Sequence, residues 1–351
     1  MPCFDVSKTS AVARAMRVTA SLLICAAVLR HDGVAFADDS PGSIRAVAVT
    51  AAQLGSPESS RRILSSAMAD GFNTVFVSIP LEGVSREAAD AIDAVIREAR
   101  QHGVRVHASI QVMRAARPDE LPSSRDHVLY RHPQWLMVPR ELGIEMLGLD
   151  PRNPDYLGRL ARWTRANSDR ADGLYLSILQ PDATDYIASA VKALVARFDV
   201  DGVHLEGLRF PGPDFDFNGR SQDAFRAVRR PALDAAERVR LDEVEAIDPF
   251  GYAGEFPDDW RRFRTTRLTA LVAQLRTAVR SVRPAALVSA SVLAGADRAL
   301  ERHSQDWRTW LDNGFVDALS DESAATALLS SYETLIDRAP VTASAADAGS
   351  Q

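Results

Sequence analysis

Residues 199–212 read DVDGVHLEGLRFPG, and the two-residue alternation inside this stretch decides the fold. Gly202, His204 and Glu206 fall on one face of an extended strand, and Val203 and Leu205 fall on the other. The aliphatic face calls for helices packed against it. The His and Glu on the opposite face, with Glu206 last, suit the inner wall of a barrel whose chemistry gathers at the carboxyl ends of its strands. The residues just upstream supply a helix, with Ile187, Val191, Leu194, Val195 and Phe198 along one side.

The same rhythm extends in both directions. Arg45–Thr50 (RAVAVT) reads as a first strand; Ser56-Pro57-Glu58 then opens a helix that Gly71 closes. Phe72–Ile79 is a second strand, and the next helix carries Ile92, Val95, Ile96 and Ala99. In the third strand, Val104–Gln111, residues Val106, Ala108 and Ile110 point one way and Arg105, His107, Ser109 and Gln111 the other. Downstream come a long helix from Trp260 to Val282, a strand at Leu287–Val292, a helix near Ser304–Leu311, a strand at Phe315–Leu319 and a helix near Ser323–Ile336. The Pro- and Arg-rich stretch between the third and fourth strands reads as irregular, and Pro211–Asp258 as an acidic loop too long for a bare connector. The pattern predicts an α/β fold, a TIM-type (β/α) barrel that is incomplete or open, because about six strands are recognisable and a closed barrel needs eight. No strand leads into a Gly-rich phosphate loop, which weighs against dinucleotide binding.

Composition narrows the function. The chain has 351 residues, 46% hydrophobic and 25% charged, enough for one large domain, assigned to residues 38–338, with a disordered tail over 339–351. Forty-one basic against 47 acidic side chains give a formal charge of −6, so no overall basic field exists to hold nucleic acid. Lys8, Arg14 and Arg17 precede an apolar run, Val18–Leu29, and then Ala35-Phe36-Ala37, the pattern of a secretory signal cleaved after Ala37; a buried N-terminal helix is the competing reading. Cleavage would remove both cysteines, Cys3 and Cys25, and leave 37 basic against 45 acidic residues, a formal charge of −8. The expected product is secreted or periplasmic, has no thiol chemistry, and makes no stable insertion into a membrane.

Glu206 is the leading catalytic candidate. A carboxyl group in a partly apolar barrel mouth has its charged form disfavoured, so it can protonate a leaving group near neutral pH. The structural alternative is an ion pair with Arg209 that holds a loop. A second carboxylate is sought among Asp214, Asp216, Asp321 and Glu322. His107, His204, Arg209, Trp135 and Tyr175 are candidate substrate-binding groups, the aromatic ones as flat faces for sugar rings. His107, His204 and Glu206 would make a metal site only if they converged; without HxH or HExxH spacing the histidines read as wall residues, and neither metal nor other cofactor is expected. Asp199 and Asp201 lie at the amino end of the fourth strand, away from any barrel chemistry.

The run FDVDGVHLEGLRFPGPDFDFN, together with RAVAVT, GFNTVFVSI, GVRVHASI, DDWRRFR and QDWRTWLDNGFVDAL in the same order, resembles the bacterial family 10 glycosyl hydrolase-like barrels. The resemblance spans roughly Arg45–Leu319 and implies a TIM-type barrel acting on glycosidic bonds, hence a carbohydrate partner such as a polysaccharide or cell-wall glycan. The chain departs from the family pattern at Ala48 and Ser109, where Trp is usual, and at Ser78 and Pro80, where Gln and Arg are usual. It also departs at Glu206-Gly207, commonly Asp-Asp, and at Asp321–Ala324, which replaces a Pro-Met-x-Tyr motif; the strands that would complete the barrel are not recognisable. Two functions are therefore expected to compete: glycoside hydrolysis by paired carboxyl groups, and non-catalytic glycan binding or an envelope role on the same scaffold.

Overall fold

The computed structural model describes residues 44–55 and 57–322, and the backbone of Thr342–Ala343, with Pro57 also as backbone alone. The signal segment read at 1–37, the helix read at 323–336 and the rest of the tail lie outside the described residues.

Six parallel strands form an open half-barrel, in the order β1 (Ala46–Thr50), β2 (Thr74–Ser78), β3 (Arg105–Gln111), β6 (Gly202–Glu206), β7 (Leu287–Val292) and β8 (Ala318–Asp321). A two-residue strand, β9 (Thr342–Ala343), pairs antiparallel with β8. Between β3 and β6 in sequence, β4 (Arg114–Ala116) and β5 (Leu174–Tyr175) form a separate antiparallel pair. The first five of the main strands fall where the alternation places them; the sixth, read at Phe315–Leu319, runs later, over Ala318–Asp321.

The register explains why the two faces differ. Val49, Val77, Ala108, Val203 and Val288 lie in one row across five strands, and Ile110, Leu205, Ala290 and Leu319 in another. This face is uniformly aliphatic and packs with the helices in one continuous core. Helix Arg86–Gln101 contributes Ala89, Ile92, Val95, Ile96 and Ala99, the stripe its spacing predicts, and Ser85 caps it by accepting from the Ala88 N–H. On the concave face the rows mix small, polar and aromatic groups, including Ala48, Phe76, His107 and Gly202, then Ser109, His204, Ser289 and Ala318. A small cluster of Ile44, Ala46, Ala48, Phe76 and Ala318 closes one end of that face.

The amino ends are tied by aspartates. Asp201 accepts the Val106 N–H and Asp317 accepts the Val288 N–H, each at 2.8 Å, so each carboxylate joins neighbouring strands of the sheet. Asp199 pairs with Arg100 and Arg283 outside the sheet, consistent with the structural role expected at that end.

Two expectations need correction. The stretch between the third and fourth strands holds helices at Val128–Arg131, Arg140–Leu147 and Pro154–Ala166, and the segment read as an acidic loop holds Gly219–Arg229, Ala235–Ile247 and Gly251–Glu255. Of these helices, Ala235–Ile247 buries Leu241 alone, whereas Pro154–Ala166 buries Tyr156, Leu160, Ala161 and Thr164. The apolar stripe of Ala235–Ile247 is too thin to read by periodicity, Val128–Arg131 and Gly251–Glu255 are too short, and capping signals mark Ala235–Ile247 and Pro154–Ala166. Asp234 and Glu237 form a reciprocal capping box, and Asn153 caps a helix that starts with Pro154.

Candidate active site at the carboxyl ends of the strands

Glu206 is the last residue of β6, and the register sets it beside Gln111, the last residue of β3. Ser109 Oγ donates to Glu206 Oε1 in a short contact, and Gln111 Nε2 donates to Oε2 at 3.0 Å. The side chain is buried, with 6% of its surface exposed. Burial raises its pKa; the Ser109 and Gln111 hydrogen bonds and the charge of Arg114 pull it back only in part, and the charge of Glu322 pushes it further up. The carboxyl group is thus held by neutral donors and favours its protonated form at a higher pH than an exposed Glu does.

The chain turns sharply past this residue. Gly207 has φ of 66°, and a Cβ there would lie 2.3 Å from Gln111 Oε1. Gly207→Ala is therefore expected to cost about 2 kcal/mol through backbone strain and to displace Gln111 from Glu206. Urea denaturation measures the first effect, and the pH profile of any activity measures the second.

A chain of alternating charges surrounds Glu206. Pairing of β4 with β5 sets Arg114 opposite Tyr175, and Asp172 accepts from both Arg114 and the Tyr175 hydroxyl, the latter at 2.6 Å. Arg209 Nε donates to both oxygens of Glu322 at 2.9 and 3.1 Å, its Nη2 lies 3.6 Å from Asp172, and its guanidinium sits 5.8 Å from the Tyr175 ring centroid. Burial works to raise the Asp172 pKa, but Arg209, Arg114 and Tyr175 outweigh it and hold the carboxylate below its ordinary range. Arg209 thus serves Glu322 and Asp172, while Glu206 stays on Ser109 and Gln111. The ion pair read as the alternative for Glu206 is made by Glu322.

The other candidates are spread over the structure. Asp214 is exposed, its carbonyl accepting the Arg140 N–H at 2.9 Å. Asp216 is fully buried at φ of 75° and accepts from Ser177 (2.7 Å), Ser221 (2.8 Å) and Asn218 (2.6 Å); burial pushes its pKa up to about 6. Asp321 ends β8. Trp135 is buried and stacked on His132 at 3.9 Å, and Tyr175 is buried with its hydroxyl on Asp172.

His107 and His204 line the concave face and are both fully buried. His204 stacks on Phe76 at 4.3 Å, and its Nδ1 and Nε2 meet Ser289 and Ser291 at 2.9 and 3.0 Å. His107 stacks on Phe76 at 5.6 Å and lies against Gly202, where a Cβ would come within 2.7 Å of its ring. Burial drives both imidazoles down to a pKa of about 3, so they are neutral. Among the described residues no group of three or more His, Cys, Asp or Glu side chains is arranged to hold a metal ion.

Sequence reasoning did not single out four residues of this constellation. Ser109 and Gln111 were legible as inner-face positions of the third strand, but only strand register shows which carboxylate they meet. Arg114 and Asp172 carry no pattern at all; the β4–β5 pairing brings them together across 58 residues.

An open half-barrel of parallel strands, with a buried carboxyl group and a charged rim at its carboxyl end, defines a TIM-barrel-like scaffold. Residues 152–322, just under half of the chain, match the family model described as Glycosyl hydrolase-like 10. Among solved structures, the chain is similar to the PgaB (BpsB) glycoside hydrolase domain from Bordetella bronchiseptica, with 14% identity, a TM-score of 0.45, and coverage of 79% of this chain and 73% of that one. It is also similar to a β-galactosidase from Rahnella sp. R3, with 14% identity, a TM-score of 0.47, and coverage of 80% and 39%. An α-amylase from Geobacillus thermoleovorans shows 12% identity and a TM-score of 0.39 over 78% of this chain; the chain spans 47% of the amylase's length. No match was found among curated proteins.

Proposed function

We propose that the protein is a glycan-acting hydrolase in which Glu206 is the general acid and Glu322 the second carboxylate. One observation carries this reading. Glu206 is buried at the carboxyl end of a central strand on neutral donors, so it holds its proton to a higher pH than an exposed Glu does and that proton remains transferable. Glu322 is preferred over Asp214 and Asp216 because its charge acts on Glu206, whereas Asp214 faces solvent and Asp216 is committed to Ser177, Ser221 and Asn218. Arg209 Nε donates to both Glu322 oxygens and so fixes the orientation of that carboxylate. The match of residues 152–322 to a glycosyl hydrolase-like family supports a carbohydrate substrate, and cell-wall glycan is the polymer to try first.

The test is incubation of the purified mature protein and its Glu206→Gln variant with peptidoglycan and a polysaccharide panel, reading released reducing ends. The expected result is release by the parent, at least about a hundredfold slower in the variant, with a rate that falls as pH rises through the elevated pKa of Glu206. A non-catalytic glycan-binding protein is the second reading. It is favoured by the 6% exposure of Glu206 and the engagement of both its oxygens within the chain. No release by either form, with equal glycan binding by both, would establish that reading instead.

Export belongs to the same proposal and rests on the pattern of residues 1–37. Mass spectrometry of the exported product is expected to find Asp38 as its first residue; retention of residues 1–37 would refute it. No helix among the described residues is long and apolar enough to cross a membrane.

A further inference from the structure

A cavity of about 710 Å³ opens between the segment Leu121–Pro133 and the helix Pro154–Ala166, within the usual size range of ligand pockets. Four guanidinium side chains border it: Arg125, Arg152, Arg162 and Arg165. No Asp or Glu is among its lining residues. None of the four arginines forms an ion pair among the described residues, although neighbouring arginines do: Arg159 with Glu145, Arg170 with Glu141 and Arg114 with Asp172. The nearby Asp150 carboxylate is turned to the backbone, accepting the Arg152 N–H at 2.9 Å.

The walls are built in advance. Tyr130 donates to the Pro122 carbonyl at 2.7 Å, Arg125 lies 4.6 Å from the Tyr130 ring centroid, and Arg165 Nε donates to the Pro118 carbonyl at 3.1 Å. Leu121 and Leu157, both partly exposed, supply an apolar surface beside the guanidiniums. In a chain whose formal charge is −6, concentrating unpaired positive charge at one concave place selects for an anion against the field of the whole molecule. The apolar surface selects for an anion with C–H faces, which bare phosphate lacks.

We infer that this groove binds an acidic glycan segment, with sugar carboxylates on the guanidiniums and sugar C–H faces on the partly exposed Leu121 and Leu157. The inference rests on the reading of the protein as glycan-acting and names the class of glycan. It places a binding surface on residues other than the Glu206 constellation.

The test is calorimetric titration with a galacturonate hexamer, its methyl ester and a polyphosphate of matched charge. The proteins are the mature parent, Arg152→Ala/Arg162→Ala and Glu206→Gln. The expected result is that the acidic hexamer binds, that esterification and the double substitution each weaken it by about tenfold or more, and that Glu206→Gln leaves it unchanged. No binding of the hexamer, equal binding of acid and ester, an unaffected double variant, or polyphosphate binding as tightly as the hexamer would each overturn the inference. Both substituted arginines are exposed, and circular dichroism checks that the double variant keeps its fold. Loss of hydrolysis as a function leaves this result intact, because binding is read independently of Glu206. Loss of the groove leaves Glu206-dependent hydrolysis intact.

Discussion

Acidification from pH 7 to pH 4 is expected to lower the unfolding free energy by a net of about 4 kcal/mol from three buried groups alone. His107 and His204 have folded pKa values of about 3 against an ordinary 6.5. Between those values the unfolded chain binds protons that the folded chain refuses, so stability is present above 6.5 and drains away as pH falls. Each histidine loses about 3 kcal/mol by pH 4. Asp216 acts in the opposite sense, because its folded pKa of about 6 exceeds the ordinary 3.8. Its contribution is fully present below 3.8 and vanishes as pH rises through 6, so acidification returns about 2 kcal/mol. The physical origin is the same for all three: burial penalises whichever form is charged. Urea denaturation at pH 4, 5 and 7 measures the balance. His107→Phe, which keeps a planar ring between Phe76 and Gly202, is expected to remove about 3 kcal/mol of the acid sensitivity. A protein equally stable at pH 4 and 7 would mean that these imidazoles are not buried as described.

The second large effect is expected at Arg264, whose replacement by Ala is predicted to destabilise the protein by about 4 kcal/mol. Arg264 sits in the long helix Pro257–Val282 with 1% of its surface exposed. It donates to the Gly212 and Pro213 carbonyls at 3.1 and 3.2 Å, and its guanidinium lies 5.1 and 5.4 Å from the ring centroids of Phe210 and Trp260. Burial lowers its pKa to about 10, which still leaves it charged at neutral pH, and Asp216 and Asp214 help to keep it so. Removing it strands two carbonyls, opens a cavity beside two aromatic rings and deprives buried Asp216 of a stabilising charge. The loop that leaves β6 would loosen at the same time, close to Glu206. Arg264→Lys is expected to recover part of the loss but not the planar contacts. A loss below about 1 kcal/mol for the Ala variant would show that the helix does not anchor this loop.

Asp216 illustrates how position in sequence and role in structure diverge. On the exit loop two residues after Asp214, it reads as a carboxylate able to reach a barrel mouth. In the fold it turns inward in a left-handed conformation and is consumed by Ser177, Ser221 and Asn218. Asp214 points out to solvent, since the loop, not the local spacing, decides which side of the chain is inside.

Much of the scaffold was determined by sequence alone. The alternation of Val203 and Leu205 with His204 and Glu206, repeated in the neighbouring strands, forces an aliphatic face toward helices and a polar face toward the concavity. That is a local consequence of the two-residue period of a strand, and it placed Glu206 at the carboxyl end correctly. Glu206 acquires its chemistry from non-local pairing. Register brings Ser109 and Gln111 to its oxygens, a short antiparallel pair carries Arg114 and Asp172 to the same rim, and Arg209 turns to Glu322. Some helices within 112–180 and 211–258 were likewise left to tertiary structure, because Val128–Arg131 and Gly251–Glu255 are too short to show a period and Ala235–Ile247 buries Leu241 alone; the stripe of Pro154–Ala166, with Tyr156, Leu160, Ala161 and Thr164, was present in the sequence. Strand alternation is written residue by residue, whereas the field at a buried carboxyl group is the sum of partners from distant segments, and only packing sets their distances.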